Sequence, residues 1–336
     1  MSKIRFYALL VLIFCVFTAA FLRSQQRPKQ PDSANNDQGN FKIGVEVNMV
    51  TVPITVRKKD GGFIKNLPQS AFHIYEDGKP QDIELFVQEG LPVRIALVLD
   101  NSGSVRPEWG TIKYSTGKFI ENLKQDDQFA IVSFNTEIRL KMDWTRKADR
   151  VSDVLSGIYC KDNTKLWDAI YVVSNEVFKN VKEKKAMIIM SDGLDNDSAV
   201  SYEDAVKAAV RSEAAVYVVS KTQAVKEAME SAAREDPYMS VPQRVFSDAD
   251  LALKQLAYQT GGRVLYPNSF GQLDNVYAQV DEELRNQYTV GYVSTNSAKD
   301  GSYRNINVRV EAPGGTVVSA RPGYYAPDDL KSHPKM

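Results

Sequence analysis

Residues 93–104, VRIALVLDNSGS, decide how this chain folds. Apart from Arg94, the residues before Asp100 are apolar, which is typical of a strand buried on both faces of a parallel sheet. Asp100, Ser102 and Ser104 follow at alternate positions where that strand ends. In open α/β sheets, ligands bind at the edge formed by the carboxyl ends of the strands. The stretch therefore predicts an oxygen-rich site at such an edge.

Two further oxygen-bearing residues lie downstream in a similar setting. Thr164 stands just before a helical pattern that begins near Leu166. Asp192 follows a second apolar run, residues 186–191, and opens an Asp-Gly turn. Oxygen donors without histidine or thiolate suit a hard divalent cation such as Mg²⁺.

Together these three pieces resemble the metal-ion-dependent adhesion site of von Willebrand factor type A domains, whose motif is D-x-S-x-S, then T, then D. The resemblance implies that Ser102 and Ser104 bind the cation through their hydroxyls. It implies that Thr164 joins them directly or through water, and that Asp100 and Asp192 act mainly through waters and as hydrogen-bond acceptors. All five are therefore candidate metal-site residues, and the cation is expected to be Mg²⁺, or Mn²⁺ or Ca²⁺.

Each piece alone also has an ordinary structural interpretation. Ser102 and Ser104 are suited to cap the following helix, and Asp192 is typical of a turn. Their occurrence in order, each after a suitable element, favours the metal site. One departure from the family pattern is the polar setting of Thr164, where Lys165 is expected to place a positive charge near the metal.

Strands and helices alternate from residue 92 to residue 286, which implies right-handed crossovers and a doubly wound sheet. The flanking segments alternate apolar and polar residues, as strands with one buried face do. We expect these two segments to pair in one small β-domain; separate hairpin layers docked on the α/β part are the less favoured arrangement. The predicted fold class is α/β, with a doubly wound, mostly parallel six-stranded sheet inserted in or flanked by a small all-β domain. The flanks resemble exported proteins related to von Willebrand factor type A that are abundant in Acidobacteria.

The N-terminus has the pattern of an export signal. Lys3 and Arg5 precede a nearly unbroken apolar stretch from Tyr7 to Leu22, which predicts a signal peptide or an uncleaved membrane anchor. The protein is therefore predicted to be exported, and to be periplasmic, membrane-anchored or secreted. The predicted division of the chain is a signal or anchor at 1–22, a disordered linker at 23–40, an N-terminal β segment at 41–91, the von Willebrand type A domain at 92–286, a C-terminal β segment at 287–326 and a tail at 327–336.

Charge and histidine content exclude several functions. Lys plus Arg equals Asp plus Glu, 42 each, so the chain has no basic field for nucleic acid. The only histidines are His73 and His333, which leaves almost nothing for a Ser-His-Asp triad or a zinc site. We predict no enzyme but an adhesion-type module of the cell envelope, which captures a carboxylate of a protein partner through the cation. The alternative is a structural envelope scaffold in which the cation only stabilises the fold.

Overall fold

The computed structural model describes residues 49–328, apart from 89, 162, 222–229, 232–233, 235–242, 268–269, 313 and 315. The predicted signal or anchor and linker, and most of the predicted tail, lie outside the described residues. The sequence also predicts a helix and a loop between residues 221 and 248, and most of that stretch lies outside the described residues. Among the described residues, no helix is both long and apolar enough to cross a bilayer.

Strands and helices alternate in the α/β part as the sequence predicts. The first half contains β1 (Met49–Lys58), β2 (Phe72–Glu76), β3 (Lys79–Gln81), β4 (Ile83–Gln88), β5 (Val93–Asp100), α1 (Trp109–Glu121), β6 (Gln128–Phe134), β7 (Ile138–Thr145), α2 (Val151–Ser156) and α3 (Leu166–Val172). The second half contains β8 (Lys184–Ser191), α4 (Tyr202–Ser212), β9 (Ala215–Ser220), α5 (Gln243–Thr260), β10 (Val264–Leu265), α6 (Leu273–Arg285), β11 (Tyr288–Val293), β12 (Tyr303–Val310), β13 (Thr316–Ala320) and β14 (Gly323–Tyr325).

A six-stranded sheet in the order β10-β9-β8-β5-β6-β7 forms the centre of the α/β part. Its strands are parallel except β7, which pairs antiparallel with β6 at the edge. Ile95, Leu97 and Leu99 of β5 pack in one core with α1, α2 and α6. Ala96 and Val98 pack in the opposite core with α3, α4 and α5. Burial of both faces explains the unbroken apolar run, and the predicted doubly wound sheet is confirmed.

The strands at the two ends of the described chain pair with one another. They form two four-stranded sheets, in the orders β13-β1-β11-β4 and β14-β12-β2-β3. Val52, Ile54, Phe72 and Tyr288 lie in the core that these sheets share. The exact domain boundaries given above stay predictions.

In the sequence, residues 72–79 and 83–87 are predicted to form a strand and its return strand, and the structure shows a different pairing. The turn at Asp77 and Gly78 has positive φ at both residues, 46° and 80°. Such a two-residue hairpin brings the return strand directly after the turn, so Glu76 pairs with Lys79. The partner of β2 is therefore β3, whereas β4 pairs with β11 in the other sheet. The short strand β14 was also not predicted.

Buried ion pairs join the β sheets to the α/β part, and all described residues lie within one compact unit, Val47–Met336. The carboxylate of Glu283 on α6 bonds the guanidinium of Arg57 on β1, and Arg263 Nε donates to it at 2.6 Å. Arg321 donates to the Thr51 carbonyl at 2.7 Å and to Glu213 at 3.0 Å. The Glu283 contacts fix the last helix of the α/β part against the first β strand, and Arg321 joins that strand to the residue that follows α4.

Candidate metal site

Strand pairing brings Asp100 and Asp192 to the same edge of the central sheet. The strands β5 and β8 are parallel neighbours, with Leu99 opposite Met190, so their carboxyl ends coincide. The Ser191 hydroxyl, at the end of β8, donates to Asp100 Oδ2 at 2.9 Å. Asp192 follows directly and acts on Asp100 through its negative charge.

Asp100 also shapes the turn that carries the two predicted serine ligands. Its Oδ1 accepts a hydrogen bond from the Ser102 backbone N–H at 2.8 Å. The hydroxyl oxygens of Ser102 and Ser104 lie 3.1 Å apart. Three of the five predicted residues are thus in direct contact, with two neutral oxygens side by side.

Thr164 is held by the loop that follows Asp192. The Thr164 backbone N–H donates to Asn196 Oδ1 at 2.8 Å, and its carbonyl accepts from the Asn196 N–H at 3.1 Å. On the other side, the Lys161 N–H donates to the Asn101 carbonyl at 3.0 Å. The loop of Thr164 therefore lies between the loops of the other predicted residues, to which backbone and amide hydrogen bonds attach it.

The depth of the five residues defines where the site meets solvent. Asp100, Ser102, Thr164 and Asp192 are all buried, with exposed fractions of 0, 2, 4 and 1%. Ser104 is exposed. A ligand would therefore approach on the side of Ser104.

The charges of the site are those that a divalent cation would balance. Burial and, secondly, the charge of Asp192 raise the pKa of Asp100 to about 7, and hydrogen bonds from Ser102 and Ser191 oppose this rise only in part. Two adjacent buried carboxylates repel each other, and a cation between such groups removes the repulsion. The candidate metal ligands are three hydroxyls and two carboxylates, which are oxygen ligands that Mg²⁺, Mn²⁺ and Ca²⁺ accept. The residues present therefore fit a hard divalent cation.

Among the described residues, no group of three or more His, Cys, Asp and Glu side chains is placed so that it could hold a metal.

The capping interpretation of the serines does not fit the structure. Ser102 precedes the 3₁₀ turn Gly103–Glu108, but its side chain makes no capping hydrogen bond. The helix α1 likewise begins without a side-chain cap. Asp192 does make the side-chain contact of a turn, because its Oδ1 accepts from the Leu194 N–H at 3.1 Å.

The side chain of Lys165 points toward two nearby carboxylates. Its ammonium lies 3.8 Å from Asp168 Oδ2 and 3.9 Å from Asp197 Oδ2. These two negative charges compensate the positive charge that was expected to act on the metal.

Sequence reasoning missed several residues that build the site. Ser191 was read only as the end of a strand, although it immediately precedes Asp192. Asp195 is another such residue. Its Oδ1 accepts from the Leu166 N–H at 2.8 Å and from the Ser198 hydroxyl at 2.6 Å, at the start of α3. The polar run after β8 was the available signal, but it does not reveal which amide each oxygen meets.

Residues 95–259 match the family model of the von Willebrand factor type A domain. The chain therefore contains a domain of this family, as the motif and the sheet indicate. The sequence matches no curated protein.

Several solved structures are similar to the chain. Proximal thread matrix protein 1 from the mussel byssus is 17% identical over 62% of this chain and 51% of its own, with a TM-score of 0.45. A von Willebrand factor type A protein from Catenulispora acidiphila is 10% identical over 87% and 77%, with a TM-score of 0.43. An aerotolerance-related membrane protein from Bacteroides fragilis is 14% identical over 57% and 98%, also with a TM-score of 0.43. The chain spans about half the length of the mussel protein, of which one structure has zinc in the adhesion-site motif.

Proposed function

We propose that this protein is a divalent-cation-dependent binding module that captures a carboxylate of a partner protein. The observation that carries the proposal is the contact between buried Asp100, beside Asp192, and the paired hydroxyls of Ser102 and Ser104 at an edge open to solvent. The family match supports an interaction module in general. The carboxylate partner, the cation and the cell-envelope setting belong to the proposal.

Each residue has a separate role in holding the cation. Ser102, Ser104 and Thr164 supply neutral hydroxyl oxygens, whereas Asp100 and Asp192 supply charge and accept hydrogen bonds. Ser191 keeps the Asp100 carboxylate in place through its hydroxyl. When bound, the cation supplies an electropositive position for an anionic oxygen of the partner. Because neutral hydroxyls form most of the donor set, much of that positive charge stays available for the partner.

The one histidine among the described residues, His73, is bonded to Glu311 rather than to a residue of the candidate site. His73 lies on β2, in the β sheets, where its Nε2 is 3.0 Å from Glu311 Oε1. The Ser102 backbone N–H donates to Asp100, and its hydroxyl contacts the Ser104 hydroxyl. In the proposal both hydroxyls serve as ligands of the cation.

The N-terminal pattern supports export, with the module periplasmic, membrane-anchored or secreted. Mg²⁺ is the proposed cation, with Mn²⁺ and Ca²⁺ as substitutes that the same oxygens accept. A structural scaffold is the second candidate, and it is favoured by the repulsion between Asp100 and Asp192, which a cation would relieve without any partner.

Binding to immobilised polyglutamate tests both candidates, because this polymer offers carboxylates alone. The proposal predicts binding in Mg²⁺ that is lost in EDTA and lost in Asp100→Ala. The exposed carboxylate of Asp149 gives the matched control, and Asp149→Ala is expected to bind as the native protein does. A scaffold would lose thermal stability in EDTA but would not bind the polymer in either condition. Equal binding with and without Mg²⁺ would contradict the proposal.

A further inference from the structure

A cavity of about 270 Å³ lies at the amino ends of the central parallel strands. Lys184 and Lys185, the first residues of β8, line it together with Leu91 and Pro92, which directly precede β5. The candidate metal site lies at the carboxyl ends of the same two strands. The cavity is therefore on the opposite edge of the sheet, and the proposed function does not involve it.

The other wall of the cavity belongs to the outer face of a β sheet. Thr51 and Pro53 of β1, Leu85 of β4 and Thr289 of β11 line it, on three neighbouring strands. Val52, between Thr51 and Pro53, points the opposite way into the shared core of the β sheets. The leucine and proline side chains of both walls give the cavity a largely apolar lining. Its volume is just below the range of about 300–1,000 Å³ that is typical of sites for drug-sized ligands, so the cavity suits a small molecule.

The ammonium groups of the two lysines have backbone carbonyls as their partners. Lys184 Nζ donates to the Leu284 carbonyl at 2.7 Å, and Lys185 Nζ donates to the Val181 carbonyl at 3.1 Å. Among the described residues, neither ammonium forms an ion pair with a carboxylate. Burial lowers the pKa of both lysines, that of Lys184 to about 7, because the charged amine loses its solvation without a counter-ion in contact with it.

The carboxylates around the cavity are bonded to other cations. Those that line it or act on the two lysines through their charge each pair with arginine: Glu183 with Arg94, Glu213 with Arg321, Asp127 with Arg285, and Glu283 with Arg57 and Arg263. Lys182 also lines the cavity, and its side chain is exposed. The cavity is therefore complementary to a ligand that carries negative charge, because these carboxylates are already compensated and the lysines are not.

We propose that this cavity is a binding site for a small amphiphilic anion, whose head group pairs with Lys184 and Lys185 and whose short apolar chain packs on Leu85 and Leu91. The head group is a carboxylate or a phosphate, since lysine binds either one as a point charge. Such a ligand supplies the counter-ion that the two ammonium groups lack, and it covers apolar surface on both walls. It contacts the β sheets and the α/β part at once.

Calorimetric titration of the full chain with octanoate at pH 7 tests the proposal. We expect saturable binding of one molecule per chain. Octanol, which has the same chain length without the charge, and acetate, which has the charge without the chain, should each bind at least about tenfold more weakly. The affinity for octanoate should fall as the pH rises above 7, because a bound anion favours the charged form of Lys184. Titration with octyl phosphate shows which of the two head groups the cavity prefers.

Lys184→Met and Lys185→Met remove the two proposed partners of the head group. Each variant should weaken octanoate binding by about tenfold and bring its affinity close to that of octanol. Methionine keeps the apolar part of the side chain, so we expect both variants to fold, and thermal melting verifies this. Lys254→Met is the matched control, because the Lys254 ammonium is half-exposed and pairs with Asp250 on α5, outside the cavity lining. This variant should bind octanoate as the native protein does.

Several results would overturn the proposal. Absence of saturable binding of both octanoate and octyl phosphate is the first, and equal affinity of the native protein for octanoate and octanol is the second. Native octanoate affinity in both lysine variants is the third. A loss of affinity in Lys254→Met as large as that in Lys184→Met would reveal a nonspecific effect of charge and would also refute the site. Titration in EDTA keeps the test independent of the candidate metal site, because the cavity needs no cation.

Discussion

The Ser191 hydroxyl donates to Asp100 Oδ2 at 2.9 Å and so joins the ends of the two central parallel strands. Both residues are fully buried, with exposed fractions of 0%. The Ser191 oxygen also accepts from the Gly193 N–H at 3.1 Å, which holds the turn of Asp192. One hydroxyl thus positions both carboxylates of the candidate site.

Replacement of Ser191 by alanine should loosen the site without removing a predicted metal ligand. We expect Ser191→Ala to weaken Mg²⁺ binding several-fold and to lower the free energy of unfolding by about 1 kcal/mol, since a buried acceptor loses its donor. Calorimetric titration and urea unfolding measure the two effects. The control is Ser174→Ala, because the buried Ser174 hydroxyl has no hydrogen-bond partner. Unchanged Mg²⁺ affinity in Ser191→Ala would contradict this role.

Replacement of Asp100 by asparagine should have opposite effects with and without cation. In EDTA, Asp100→Asn removes one of two buried, adjacent carboxylates, so its thermal midpoint should equal or exceed that of the native protein. Mg²⁺ at a hundred times its dissociation constant should raise the free energy of unfolding of the native protein by about 2.7 kcal/mol, and it should not raise that of the variant. Melting curves in EDTA and in Mg²⁺ test whether the order of the two thermal midpoints reverses. A native protein that is unaffected by Mg²⁺ would speak against the site.

Loss of Glu283 should uncouple the β sheets from the last helix. Its carboxylate is only 3% exposed and pairs with Arg57 and Arg263. Glu283→Gln leaves two partly buried guanidinium groups without their counter-ion, and we expect a loss of roughly 3 kcal/mol in urea unfolding.

The exposed pair of His73 and Glu311 provides the comparison, because Glu311 is 77% exposed. Glu311→Gln should change stability by no more than about 0.5 kcal/mol. Similar losses for both variants would mean that burial of Glu283 is not the cause.

The stability of the protein should depend on pH through Lys184. Burial and, secondly, the charge of Arg285 lower the pKa of Lys184 from its ordinary 10.5 to about 7, although Asp127 and Glu283 act in the opposite direction. Between these two values the unfolded chain holds a proton that the folded protein has released, so stability rises with pH from about 7 to about 10. The cost of charging the buried amine is fully present below pH 7.

Lys184→Met should therefore flatten this rise and increase the free energy of unfolding at pH 6 by about 1 to 3 kcal/mol. Urea unfolding at several pH values measures the slope, and exposed Lys182→Met is the control. An identical pH slope in Lys184→Met and the native protein would refute the assignment.

The central sheet was predictable because both faces of its strands are buried. That burial leaves an apolar run in the sequence, as residues 93–99 show, and the polar residues that follow mark the strand end. The proximity of Asp100, Ser102 and Ser104 could be predicted without tertiary information, because the three residues lie within one turn.

Contacts between distant segments were not predictable in the same way. The strand β4 alternates like a hairpin partner of β2, but the tight turn at Asp77 gives that place to β3. Lys165 stands next to Thr164 in the chain, yet its orientation depends on Asp197 in another loop. Such choices depend on which charges and amides the fold brings together, and local pattern does not encode them.

Calorimetric titration of the purified protein with Mg²⁺ is the most direct measurement of the central claim. We predict saturable binding of one cation per chain for the native protein and none for Asp100→Ala, with Asp149→Ala binding as the native protein does. Absence of saturable uptake of Mg²⁺ and Mn²⁺ by the folded native protein would contradict the claim that these five residues form a cation site.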